Sequence, residues 1–124
     1  MTREDKELLL KDLCARLPYG VKMNHIADDE HSPKTLIGVA KDMITLEGLG
    51  GYECVDVEHY KPYLFPLSSM TEEQIKEFNS ITQKCNTYIG KSILLTDFCN
   101  KHHIDWRGFI EKGLAIDATG LNIY

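Results

Sequence analysis

Leu9, Leu10, Leu13, Cys14 and Leu17 recur at regular intervals in the first seventeen positions. That i, i+1, i+4, i+5, i+8 spacing is one face of a helix. Thr2 can cap it, and Glu4, Asp5 and Glu7 suit the positive end of the helix dipole. Pro18 and Gly20 end it, so the pattern predicts a helix over residues 2–17. The period then drops to two. Val21 to Ile26 alternates apolar and polar, as does Tyr52 to Val57, with Tyr52, Cys54 and Asp56 facing one way. Between them Thr35–Ala40 and Met43–Leu46 read as strands, with a bulge or bend at Gly38 and a turn at Gly48, Gly50 and Gly51. Tyr60–Leu67 is extended, and Pro62 and Pro66 assign it to an edge or to irregular structure.

The helical period returns after Met70. Thr71 and Gln74 have capping-box spacing, and Met70 and Ile75 occupy the positions of a hydrophobic staple. Ile75, Phe78 and Ile81 supply the buried face of a helix ending near Lys84, and Cys85–Lys91 is a connection. Leu94, Leu95, Phe98, Cys99 and His102 repeat the first helix's spacing in a second helix, starting near Ile93 or Asp97 and reaching His103. Asp105 caps a short helix over 106–112, stopped by Gly113. Leu114–Ile116 adds a strand or plugs the core, and Ala118–Tyr124 is a tail. The predicted class is α+β: an N-terminal helix, a small curved antiparallel sheet or SH3-like barrel, then two or three helices. The chain, residues 1–124, is expected to form one domain, with the first helix and a β half over 1–67 and a helical half over 68–124.

Charge narrows the partners. The chain carries 14 basic and 19 acidic residues, a formal net charge of −5, with most of the acidic excess in the first seventy positions. That is not the basic footprint of phosphate-backbone binding, which argues against nucleic acid. The N-terminus has early acids and no long apolar run, so neither a secretory signal nor a membrane span is predicted, and the expected location is cytoplasmic. Cys14, Cys54, Cys85 and Cys99 are widely spaced without a C-x-x-C, which reads as free, largely buried thiols.

Three blocks, DLCARLPYGVK at 12–22, YKPYLFPLSSMTEEQ at 60–74 and HHIDWRGFIEKGLAI at 102–116, resemble a group of short uncharacterised proteins of intestinal anaerobic bacteria and their phages. The resemblance leaves the loops and residues 23–59 largely unmatched. It implies a phage or mobile-element context and an accessory role. The group has no established activity, so it transfers no catalytic residue.

Several side-chain groupings could carry chemistry. His25, Asp28, Asp29, Glu30 and His31 crowd one loop and offer mixed nitrogen and oxygen ligands for a divalent metal, against the simpler reading of a solvated acidic loop. Cys99, His102 and His103 share helical spacing and with Cys85 would make four ligands, but Cys99 and His102 also end an apolar stripe. Gly90-Lys91-Ser92 resembles the end of a phosphate loop, yet Cys85 stands where its first glycine belongs. Tyr52, Tyr60, Tyr63 and Phe65 with Lys61 could stack the bases of a single strand on an exposed aromatic face, as small barrels do, or could fill the core. Tyr60, Lys61, Tyr63, Trp106 and Arg107 form the candidate interaction surface. No catalytic set and no cofactor is assigned. The reading is a non-enzymatic module with a protein partner of unknown identity. The alternatives are a nucleic-acid accessory protein using the β half and a metal-dependent enzyme.

Overall fold

The computed structural model describes residues 1–124. Helix α1 spans Arg3–Arg16, and the Thr2 hydroxyl accepts the Asp5 N–H at 3.0 Å. A 3-10 turn over Leu17–Tyr19 follows, and Gly20 stops it with a left-handed φ of 66°. The buried face of α1 is not the one the apolar pattern suggests. Leu9 and Leu13 are buried, but Asp12 and Arg16 are buried with them and Cys14 is exposed. Cys54 is also exposed and Cys85 half-buried, so Cys99 alone of the four thiols lies in the interior.

Strands β1 (Lys22–His25), β2 (Lys34–Ala40), β3 (Met43–Gly48), β4 (Gly51–Asp56), β5 (Tyr60–Leu64) and β6 (Ile116–Asp117) make one sheet in the order β4-β3-β2-β1-β5-β6. All neighbours are antiparallel except β5 and β6. The sheet is open, with β4 and β6 at its edges, so it is a sheet and not a barrel. The register of β2 on β3 shifts between Leu36 and Gly38, the bulge the glycine suggested.

β5 is an interior strand despite Pro62. Ile26 N–H donates to His59 O at 2.9 Å, and β1 pairs with β5 as Met23 with Pro62, Asn24 with Lys61 and His25 with Tyr60. Alternation makes Asn24/Lys61 a hydrogen-bonded pair and Met23/Pro62 a non-bonded one. The N–H that proline lacks is therefore not required by β1. β6 pairs only beyond it, Tyr63 with Ile116 and Leu64 with Asp117.

Helix α2 (Glu72–Lys84) starts on the Thr71–Gln74 capping box, with both reciprocal bonds formed. Ile75 stays 43 % exposed, while Met70, Phe78 and Ile81 pack on the buried Phe98, Cys99 and Ile104. Helix α3 (Tyr88–Lys101) begins earlier than its apolar stripe implies, because the Thr87 hydroxyl caps it at Gly90 N–H, 3.1 Å away. A Cβ at Gly90 would lie 2.7 Å from that hydroxyl, so the glycine permits this close approach of the cap. The C-terminus of α3 is a Schellman motif. His103 takes the left-handed conformation at φ 59°, its N–H reaches Asn100 O at 3.3 Å, and Ile104 N–H reaches Cys99 O at 2.8 Å.

The predicted third helix over 106–112 is a single turn. Its caps are where the sequence puts them. The Asp105 carboxylate accepts Phe109 N–H at 2.8 Å and Ile110 N–H at 2.9 Å, and Gly113 turns the chain with φ 75°. Gly108 at φ 78° breaks the helix between the caps. The C-terminal segment is likewise not a free tail. Ala118 is buried, and its N–H donates to Leu64 O at 2.9 Å. The Tyr124 hydroxyl donates to Tyr63 O at 2.8 Å and accepts Lys22 N–H at 2.9 Å.

Two apolar clusters result. The larger joins α1, the inner face of the sheet and the 109–115 segment through Leu9, Leu13, Met23, Leu46, Leu64 and Phe109. The smaller is the α2–α3 cluster around Phe98, Cys99 and Ile104. Between them lies an ionic hub. Arg16 Nε donates to Asp12 Oδ2 at 2.7 Å, Arg107 Nε donates to Asp12 Oδ1 at 2.9 Å, and an Arg16 Nη2–H reaches Ile104 O at 2.7 Å. The Asp12 and Arg16 side chains have no exposure. No helix is long and apolar enough to cross a membrane.

Asp12→Ala leaves two guanidinium groups without their carboxylate and is expected to destabilise the fold by about 3–5 kcal/mol, measured by urea denaturation. Tyr124→Phe removes the hydroxyl that ties the C-terminus to β1 and β5. It is expected to cost about 1 kcal/mol in the same assay.

Candidate functional site

The most developed concavities meet at one tryptophan. Trp106 follows Asp105, whose capping role fixes the turn, and precedes Arg107, whose Nε is held by Asp12. The indole N–H donates to Asn100 Oδ1 at 3.1 Å, and the Arg107 guanidinium lies 4.1 Å from the indole ring centre. Trp106 is thus clamped from two sides yet remains half-buried. On one side it walls an apolar cleft of about 400 Å³ with Leu67, Phe78, Leu95 and Cys99. On the other it walls a polar groove of about 630 Å³ with Asp105, Arg107, Glu111 and Asp117. Leu67 and Trp106 belong to both.

Of the candidate interaction residues, Trp106 and Arg107 line this site, and Tyr60, Lys61 and Tyr63 do not. Tyr60 is 5 % exposed and belongs to the main cluster. Its hydroxyl donates to Glu53, which Lys34 also binds. Tyr63 is fully buried and its hydroxyl bonds His31 Nδ1 at 2.8 Å. Burial pushes that phenol up to about 12, so it stays protonated. Lys61 is half-buried on the far side of β5, beside His25 and Asp28. Tyr52 is exposed and Phe65 half-buried, with its ring against Tyr124, so these aromatics do not form one stacking surface.

The 25–31 loop spends its side chains on its own shape. Asp28 accepts Glu30 N–H at 3.0 Å and Ser32 N–H at 3.1 Å, bonds that hold its carboxyl below the ordinary range. His25 Nδ1 accepts Ala27 N–H at 3.0 Å, and its ring packs on Tyr60. Asp29 and Glu30 are exposed. No three of these groups, nor Cys99, His102 and His103, converge as a set able to hold a metal ion. The Schellman turn explains the second case. It swings His103 off the helical face and stacks its ring 3.8 Å from that of Tyr124. His102 caps the C-terminus of α3, its ring 4.7 Å from Phe98 and its Nε2 3.5 Å from Glu77. Burial pushes the Cys99 thiol up, away from the reactive thiolate.

The groove residues that sequence reasoning missed are Leu67, Leu95, Glu111 and Asp117. Leu95 was legible as part of the α3 stripe, but nothing in the local pattern brings Asp117 beside Trp106.

His103 gives this region a pH dependence. Burial, with Arg16, His102 and Lys22 nearby, lowers its imidazole from 6.5 to about 4. The unfolded chain therefore binds a proton that the folded chain does not as pH falls between those values. Stability should drop through that window. Asn tolerates the left-handed backbone at this position, so His103→Asn should flatten the loss of thermal midpoint between pH 6.5 and about 4. The further loss below that window, where Asp28, Glu53 and Asp56 are protonated, should persist. No protein-family model, curated protein or solved structure matches the chain.

Proposed function

We propose that this chain is a non-enzymatic protein-interaction module whose docking site is the groove around Trp106. The observation that carries this reading is the junction of an apolar cleft with an acidic groove at one clamped indole. Tryptophan and arginine are enriched among the residues that carry interface binding energy. The residues equipped for catalysis are already engaged. Cys99 packs in the α2–α3 cluster, His103 stacks on Tyr124, and Asp105 caps a turn. The resemblance of three sequence blocks supports an accessory role in a phage or mobile-element setting.

The lining also describes the partner. Asp105, Glu111 and Asp117 face the groove with one cation, Arg107, which Asp12 already neutralises. The partner segment therefore carries an apolar side chain for the cleft beside Leu67 and Leu95, next to a lysine or arginine for the acidic side. Trp106 is the only tryptophan, so its emission reports occupancy directly.

A tagged chain should capture a specific protein from its native lysate, and that protein should shift Trp106 emission. Leu67 and Glu111 are exposed, so Leu67→Asp and Glu111→Lys should leave the fold intact. Each should weaken capture on the order of tenfold or more, about 1.4 kcal/mol. Capture that survives both substitutions, or a bound partner that leaves the emission unchanged, would refute the groove as the docking site.

A further inference from the structure

A second surface stands apart from the groove. β4 forms one edge of the sheet. Val57 N–H donates to Asp42 O at 3.2 Å, and the β3–β4 register runs without a shift from Met43/Asp56 to Gly48/Gly51. Alternation then turns the backbone groups of Gly51, Glu53 and Val55 toward β3. Those of Tyr52, Cys54 and Asp56 point outward. These outward N–H and C=O groups have no partner within the chain.

Exposed edges are usually guarded by proline, bulges or free charge. β4 has no proline and no bulge. Its two acids are tied inward, Glu53 to Lys34 and Asp56 to Lys6 at 3.3 Å. The hairpin it closes is also bare of cover. Leu49 at its tip is fully exposed, Tyr52 is 73 % exposed and Met43 is 42 % exposed.

We propose that β4 pairs antiparallel with β4 of a second copy of this chain, about a two-fold axis through Cys54. The register follows from the bonding groups. With Cys54 opposite Cys54, all three outward-facing residues on each strand are engaged. A shift toward Tyr52 brings Glu53 opposite Glu53, a like-charge pair that disfavours it. A shift toward Asp56 leaves Tyr52 unpaired. In the centred register Tyr52 faces Asp56 and Glu53 faces Val55, so no like charges meet. The two sheets become one continuous sheet, and the exposed Tyr52 of each copy is covered at the join.

Sedimentation equilibrium in reducing buffer should show a dimer across the micromolar range. Cys54→Lys puts two ammonium groups at the axis. Cys54→Pro removes an outward N–H and leaves the β3 ladder untouched. Both variants should sediment at half the apparent mass with unchanged far-UV circular dichroism. Should the proline variant not fold, the lysine variant decides. Directly opposed bonded residues have Cβ atoms up to about 5.5 Å apart, too far for the roughly 3.5–4.5 Å of an unstrained disulfide but well within the span of a short bis-maleimide. That reagent should therefore link the two Cys54 thiols of the wild-type dimer on a denaturing gel. Cys54→Ser should abolish the link, and Cys14→Ser should not. A monomeric wild type, a dimer that persists in Cys54→Lys, or a link running through Cys14 would overturn the proposal. None of these results bears on Trp106, so this surface and the groove stand or fall separately.

Discussion

Two arginines, Arg16 and Arg107, share one carboxylate, Asp12, and two of the three side chains are wholly shielded from water. The arrangement connects parts of the chain that apolar packing leaves separate. Asp12 and Arg16 belong to the helix that covers the sheet, and Arg107 belongs to the turn after α3. The second bond of Arg16 goes to Ile104 O, inside the α2–α3 cluster. Without this hub the two clusters would touch through whatever apolar surface they offered, with no fixed angle between them.

Its energetic role follows from its charge. One anion serves two cations, and one guanidinium nitrogen of Arg16, Nη1, is buried without a partner. Desolvating such a group costs several kcal/mol per ion, which the attraction repays only with good geometry. The hub is therefore a poor source of net stability compared with apolar residues of the same volume. What it supplies is direction. A guanidinium fork donates to its carboxylate and carbonyl partners at fixed angles, so the helix, the α3 terminus and the 105–110 turn meet in one orientation.

The elements of this fold were legible because period and caps agree. Thr2 and Thr71 cap the helices predicted from them, Gly38 marks the bulge, and the facing of Tyr52, Cys54 and Asp56 follows from alternation alone. The hub was not legible. An Asp–Arg pair at i,i+4 reads the same in sequence whether it lies on a wet surface or in the interior, and its third member is 95 positions away. Cys14 reads as part of the buried stripe for the same reason: the apolar count favours it over Arg16. β5 reads as an edge strand or irregular segment because Pro62 normally forbids an interior strand, and only the pairing phase shows that β1 does not need its missing N–H. At the candidate site, Trp106 and Arg107 could be named from composition. Tyr60 and Tyr63 could not be excluded, since burial of an aromatic depends on the elements packed above it.

The same hub sets the shape of the groove. Arg107 is held at Nε by Asp12, and its plane lies on the indole of Trp106, which Asn100 holds from the other side. Rotating the indole away would require Arg107 to leave Asp12 or Trp106 to abandon a half-buried hydrogen bond. An apolar replacement for the hub would conserve volume, but it would impose no such coupling, because dispersion contacts are non-directional. Asp12 therefore acts on the groove without lining it. A carboxylate buried under the first helix determines how the chain presents its only tryptophan.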